Sequence, residues 1–255
     1  LMLAALYTGY TLIRCHLNPN LGPVVPEDLI PDSMKEVWIE FFKGLLPPVL
    51  LVGSSLGSIL AGWATATEGA AMGAVGAIFL TLAYRKLTFE SFKSSLLKTL
   101  EITTLIMVLV CASNFFGAVF SRLGTPTMIT EYLMLLDLPP TAILLIIMAF
   151  IFLLAWPLEW VPIVLIIIPI VLPLIEQLGF NLTWFGILVA VNLQTAWLSP
   201  PVALSAYFLK GVVPEWDLAD IYKGMMQFMA IQVVGLALII IFPQIVLWLP
   251  TYLYG

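Results

Sequence analysis

Along this chain the charged residues stand far apart, and the stretches between them are long and apolar. Uninterrupted runs extend over Gly44–Thr67, Gly69–Tyr84, Ile102–Ser121, Leu138–Leu158, Trp160–Ile175, Gln177–Leu209 and Gly224–Gly255. A helix that crosses the hydrocarbon core of a bilayer takes about 20 apolar residues, so these runs hold several crossings. Two of them, Gly69–Tyr84 and Trp160–Ile175, have only 16 residues each and follow directly on an acid, Glu68 or Glu159. Those glutamates are therefore candidates for polar groups at membrane depth, where an ionisable side chain is costly and functional by default.

The same pattern predicts the elements. The opening LMLAALYTGYTLIRCH reads as the second half of a span. Ser33–Leu46 alternates charge with Val37, Trp38, Phe41, Phe42 and Leu45 at helical spacing. That fits a short amphipathic helix, lying in the membrane interface or packed on the protein itself. Residues 1–44 thus form an entry segment, and 45–138 a set of scaffold-type membrane helices. Within that set, Leu45–Tyr84 goes out and back, turning near Gly62–Glu68. Gly53, Gly57 and Ala61 recur every fourth residue before the turn, and Gly69, Gly73 and Ala77 after it. Small residues at that spacing let two helix backbones approach closely. A further crossing runs over Leu97–Arg122, and Gly124–Asp137 reads as a polar connection. Arg85, Lys86, Lys93 and Lys98 form the densest basic loop, which the positive-inside rule puts on the cytoplasmic side.

Residues 139–223 are the irregular part. A crossing from Pro139 to about Trp156 leads into Pro157, Pro162, Pro169 and Pro173, which interrupt an apolar stretch. Two full crossings would carry Glu159 to the far surface. A re-entrant hairpin with its tip at Trp156–Pro162 would keep it inside the bilayer, and prolines plus an acid at one tip favour the hairpin. Irregular backbone at that depth survives only where protein or a water-filled cavity covers it. After Asn181 an apolar helix, TWFGILVAVNLQTAWL, meets Ser199-Pro200-Pro201 and resumes as VALSAYFLKG. Proline has no N–H, so Pro200 leaves the Ala196 carbonyl without its helical donor, and Pro201 does the same to Trp197. Bare carbonyls, the Ser199 hydroxyl and nearby Asn192, Gln194 and Thr195 make an oxygen-rich break of the kind that coordinates sodium in secondary transporters. A plain kink relieved by neighbouring helices is the other reading. Residues 224–255 read as a C-terminal membrane helix ending in an interfacial belt of Trp248, Tyr252 and Tyr254.

Composition agrees: 62% of the 255 residues are hydrophobic and 10% charged, against roughly 25% charged in a soluble domain. The net charge of −5 adds little, because many acids cluster in loops: Glu27, Asp28 and Asp32, then Glu215, Asp217 and Asp220. There is no basic footprint for nucleic acid. His16 is the one histidine, Cys15 and Cys111 form no CxxC, and no GxxxxGK[ST] loop occurs. Triad, zinc and phosphate-loop chemistry are thereby left without their residues, which argues against an enzyme. Thr65, Thr67 and Glu68 can be a polar turn near a transport path. They can equally be a self-capped helix start, since Thr65 and Glu68 have capping-box spacing.

Three motifs carry a resemblance. GWATATEGAA at 62–71 resembles the "G..TPTEAAA" signature of the large membrane subunit of tripartite ATP-independent periplasmic (TRAP) transporters. LEWVPIVLIIIPIVLPLIEQLGFNLTWFGILVAVNLQTAWLSPPVALSAYFLKGV resembles that family's second hairpin, its "NL" helix and its "TPPVG" break, over a total of about Pro47 to Trp248. The resemblance implies an all-α, multi-span bundle with a re-entrant hairpin and a broken helix, one repeat of an inverted-repeat elevator transporter. It implies sodium-driven uptake of a small organic acid across the bacterial inner membrane, with a small membrane subunit and a periplasmic substrate-binding protein as partners and no cofactor beyond the coupling ion. By position it makes Glu159, Ala196 and Ser199 the sodium-site candidates, with Pro200 and Pro201 shaping the break; from their own chemistry, Asn192, Gln194, Thr195, Thr65, Thr67 and Glu68 are candidates for the substrate path or its polar support. The family often has Asp at 159, Gly at 196 and 203, Thr at 199 and Pro at 66. Ser199 keeps the hydroxyl, and a backbone ligand at Ala196 survives the change. The chain looks like the C-terminal repeat. A different hairpin-type anion transporter, or a membrane scaffold or enzyme subunit, are the alternatives.

Overall fold

A computed structural model describes residues 1–22, 33–158, 160–200 and 203–254. Glu159 and Pro201, and the loop acids Glu27, Asp28 and Asp32, lie outside the described residues. Those that are described form helices and connections with no strand. Among the described residues, five helices are long and apolar enough to cross a membrane: Met34–Leu60, Ala66–Ala83, Phe89–Arg122, Trp160–Gln177 and Leu218–Ile241. The protein is an all-α membrane protein. Its chain divides into two units, one of residues 19–104 and one of residues 1–18 with 105–255.

In the first unit, α2 (Met34–Leu60) starts where the Ser33 hydroxyl accepts the Lys35 N–H. No short amphipathic helix is set apart from the crossing; a single helix of 27 residues passes straight through Pro47 and Pro48. Pro47 removes the donor of the Lys43 carbonyl, and the Tyr84 hydroxyl supplies one at 3.2 Å. The chain then reverses through Gly62, whose φ of 71° suits a residue without Cβ, into α3 (Ala66–Ala83). These two helices pack face to face as the small-residue spacing predicts, but the glycines in the contact are those of α3, met by Leu51, Ser55 and Ile59 of α2. A Cβ on Gly69 would sit 2.6 Å from Ile59 Cγ1, and one on Gly76 2.6 Å from Leu51 Cδ1, whereas at Gly53 and Gly57 it would meet nothing within 4 Å. The Ser55 hydroxyl seals the contact by donating to the Gly69 carbonyl at 2.7 Å. The Gly53/Gly57 stripe of α2 is thus turned away from α3, and residues of larger side chain fill its partner face.

α4 (Phe89–Arg122) has 34 residues, starting well before the predicted Leu97. The stretch read as a polar connection is instead a helix, α5 (Thr125–Met134), with Pro126 in its first turn and buried Thr130 bonding back to the Pro126 carbonyl. Proline is preorganised for a first turn, and α5 packs on α8 (Ile168–Gln177).

The second unit has its core around α9 (Leu182–Leu193), which packs against α6 (Pro140–Leu154), α8 (Ile168–Gln177), α11 (Leu218–Ile241) and α12 (Gln244–Tyr254). Leu144, Ile151, Ile163, Leu174 and Leu188 are fully buried there. Asn181 caps α9 by accepting the Trp184 N–H at 3.0 Å, and the Trp184 indole donates to the Ile239 carbonyl at 3.1 Å. With 15 residues, α6 extends only about 22 Å, short of the roughly 30 Å hydrocarbon core. It turns at Ala155–Leu158, and the chain restarts as α7 (Trp160–Pro162), a π-helical turn (Ile163–Ile167) and α8. The widened turn lies between Pro162 and Pro169, whose missing N–H groups prevent a regular ladder there.

Past α9, α10 (Leu204–Val212) is stapled to the following loop by Lys210, whose ammonium donates to the Pro214 and Trp216 carbonyls. Two loop acids do structural work: Asp217 caps α11 through the Ala219 N–H, and Asp220 pairs with Lys223 at 2.9 Å. The expected single C-terminal helix is two, because Pro243 pushes Phe242 out of helical geometry (φ −123°, ψ 75°). α1 (Met2–Leu17) lies on α11, with Leu3 Cδ2 only 2.5 Å from where a Cβ of Gly235 would be.

Candidate functional site at the broken helix

The sequence gives α9 no charge and ends it before two prolines; the backbone responds by tightening. Gln194–Trp197 is a 3-10 turn, and the Thr195 carbonyl accepts from both the Leu198 and Ser199 N–H groups, at 3.1 and 3.0 Å. The chain re-enters helix when the Ala203 N–H reaches the Ser199 carbonyl at 2.9 Å. Pro200, half-buried, has no N–H for the Ala196 carbonyl, and among the described residues nothing donates to it.

Burial turns this irregularity into a chemical feature. Asn192 and Ser199 are 0% exposed, Thr195 and Ala196 1%. Thr195 is satisfied by donating to the Asn192 carbonyl at 2.6 Å, and the Asn192 amide N–H by the Met148 carbonyl of α6 at 2.8 Å. Among the described residues, Asn192 Oδ1 and Ser199 Oγ are the buried side-chain atoms with no hydrogen-bond partner. Buried polar groups are nearly always paired, because an orphan costs about 1–3 kcal/mol. Two such oxygens and a carbonyl without a described donor thus fall within the eight residues 192–199, from the end of α9 to the proline. A donor or a small cation is what such a set can take.

The sequence-predicted residues therefore separate into groups. Asn192, Thr195, Ala196, Ser199 and Pro200 are together at the break. Gln194 is exposed overall but hands its Oε1 to Gln232 of α11 at 2.7 Å. Thr65, Thr67 and Glu68 belong to the other unit, where they are exposed. Glu68 accepts the Thr65 N–H at 2.8 Å and hydroxyl at 2.9 Å, while Thr65 Oγ1 accepts the Glu68 N–H at 3.3 Å. This is the full capping box at the start of α3. Gln232 and Tyr7 had no signal in the sequence, since a lone amide in an apolar helix and a tyrosine 225 positions away say nothing of each other. Among the described residues no cluster of His, Cys, Asp or Glu could hold a metal ion.

An all-α membrane protein with buried oxygens, unpaired among the described residues, in the segment before a proline is the class defined by fold and site. Residues 1–245 match the family described as "Tripartite ATP-independent periplasmic transporter, DctM component", and the chain belongs to that family. Among its relatives, the sialic acid TRAP transporter large permease protein SiaM of Vibrio cholerae is 29% identical over 85% of this chain and 50% of its own length. The C4-dicarboxylate TRAP transporter large permease protein DctM of Pseudomonas aeruginosa is 27% identical over 96% of this chain and 55% of its own. The 2,3-diketo-L-gulonate TRAP transporter large permease protein YiaN of Escherichia coli is 25% identical over 84% of the chain. The chain spans about half the length of these relatives.

Proposed function

We propose that this chain forms part of the large permease subunit of a sodium-coupled TRAP transporter, carrying a small organic acid across the bacterial inner membrane. A small membrane subunit and a periplasmic substrate-binding protein are its partners, and no nucleic acid is involved. The observation that carries the reading is the unsatisfied oxygen set at Asn192–Pro200. Sodium is a hard cation that takes carbonyl and hydroxyl oxygens, which a proline break leaves free. Ser199 Oγ and the Ala196 carbonyl are the proposed ligands, Pro200 keeps that carbonyl undonated, and Glu159 contributes charge from the hairpin tip. Asn192 and Thr195 fix the shape of the break. The short α6 and the turn after it support a re-entrant hairpin that moves with the ion and substrate in an elevator cycle. Relatives named for sialic acid and C4-dicarboxylate support an organic acid as the substrate class.

The test is uptake by proteoliposomes holding the full-length permease and its small subunit, with the binding protein loaded with the acid it retains. Uptake is expected to follow an inward sodium gradient and to stop when choline replaces sodium. Equal uptake in choline would overturn the coupling.

A further inference from the structure

Gln232 is 1% exposed in the middle of α11, in the apolar stretch MAIQVVGLALIII. A buried amide needs partners for two N–H donors and a carbonyl, and Gln232 finds all three outside its own helix. Its Nε2 donates to the Val191 carbonyl at 2.9 Å and to Gln194 Oε1 at 2.7 Å, and its Oε1 accepts from the Tyr7 hydroxyl of α1. The Tyr7 ring is in turn held edge-on to Phe228 of α11 at 5.3 Å. The two Nε2 bonds fall on either side of the point where α9 ends and the 3-10 turn begins. Helix ends leave carbonyls without intrahelical donors, so a donor brought from another helix there selects which way the chain continues.

We propose that Gln232, oriented by Tyr7, is a positioning residue for the break. It holds Val191 and Gln194 so that the chain leaves α9 in the tight form that leaves the Ala196 carbonyl and Ser199 hydroxyl unpaired. Its effect on ion binding rests on the sodium reading above; its effect on the backbone of the break does not.

The experiment uses the full-length permease with its small subunit, as wild type, Gln232→Leu and Tyr7→Phe. The tyrosine variant keeps the ring on Phe228 and removes only the hydroxyl, so it tests the proposal even if Gln232→Leu folds poorly. Amide hydrogen exchange at 195–199 is measured in choline chloride, and thermal stabilisation is titrated with sodium chloride. Exchange in that segment should rise about tenfold in Gln232→Leu, which loses all three of these hydrogen bonds, and about threefold in Tyr7→Phe, which loses one. The sodium midpoint should rise at least threefold in both. Exchange at 195–199 unchanged in Tyr7→Phe, or accelerated no more than in the rest of α1 and α11, overturns the proposal. A wild type indifferent to sodium, with local exchange still accelerated in the variants, overturns the sodium reading and leaves the positioning role standing.

Discussion

Prolines interrupt apolar helices in both units, with opposite outcomes. In α2, Pro47 and Pro48 sit inside a helix that continues for another three turns, and the carbonyl that Pro47 frees, on Lys43, takes the Tyr84 hydroxyl at an exposed position. At Pro200 the helix stops, tightens and restarts, and among the described residues nothing donates to the freed Ala196 carbonyl and the fully buried Ser199 hydroxyl, three positions on, has no partner. The residue type is the same. What differs is whether a donor is supplied and whether water or headgroups can reach the oxygen. A proline pair therefore marks a site only when the surrounding helices bury its freed groups and leave them unpaired; otherwise it is absorbed as a kink.

This contrast can be broken by giving the Ala196 carbonyl a donor. Pro200→Ala restores an N–H one turn on, and the midpoint for thermal stabilisation by sodium should rise about tenfold, the ratio expected from losing an oxygen contact to a charged partner. Replacing Pro47 with Ala in a parallel titration should leave that midpoint where it was. A smaller effect is expected from Asn192→Leu, which deprives the Met148 carbonyl of its amide donor. The Met148 carbonyl keeps its own helical donor, so stability should fall by at most about 1.5 kcal/mol, the net worth of one hydrogen bond, read as a drop in melting temperature in sodium-free detergent. Smallest is Tyr84→Phe, which orphans the exposed Lys43 carbonyl and should lower stability by about 0.5–1.5 kcal/mol at most, with no change in the sodium midpoint. If Tyr84→Phe moved the sodium midpoint as far as Pro200→Ala, the two interruptions would not differ in kind.

Much of the break was legible in sequence because its causes are local. Asn181 before an apolar helix, Pro200 after it, and the loss of a donor at Ala196 all follow from backbone chemistry within a few residues. The Thr65–Glu68 capping box was legible for the same reason. Pro243 carried the same kind of signal, yet the apolar run masked it, and one expected C-terminal helix became two. α5 was missed because Gly124 and Asp137 flag its ends as loop, while its helix is supported by packing on α8 that periodicity over ten residues does not reveal. The small-residue stripes identified a close helix pair correctly but assigned it to both partners; burial of Gly69 and Gly76 by Ile59 and Leu51 is a property of facing surfaces. Gln232 and Tyr7 lay beyond reach altogether, since only the folded chain brings them together.

The central claim is that the unpaired oxygens at the break hold sodium, and Ser199 tests it most cleanly. Its hydroxyl donates and accepts no hydrogen bond among the described residues, so Ser199→Ala removes an oxygen without breaking a bond. Thermal stabilisation of the full-length permease is titrated with sodium chloride at constant ionic strength against choline chloride. The account predicts saturable stabilisation of the wild type by sodium, and for Ser199→Ala a melting temperature in choline no lower than that of the wild type but a sodium midpoint about tenfold higher. Coincident sodium titrations for the two proteins would contradict it.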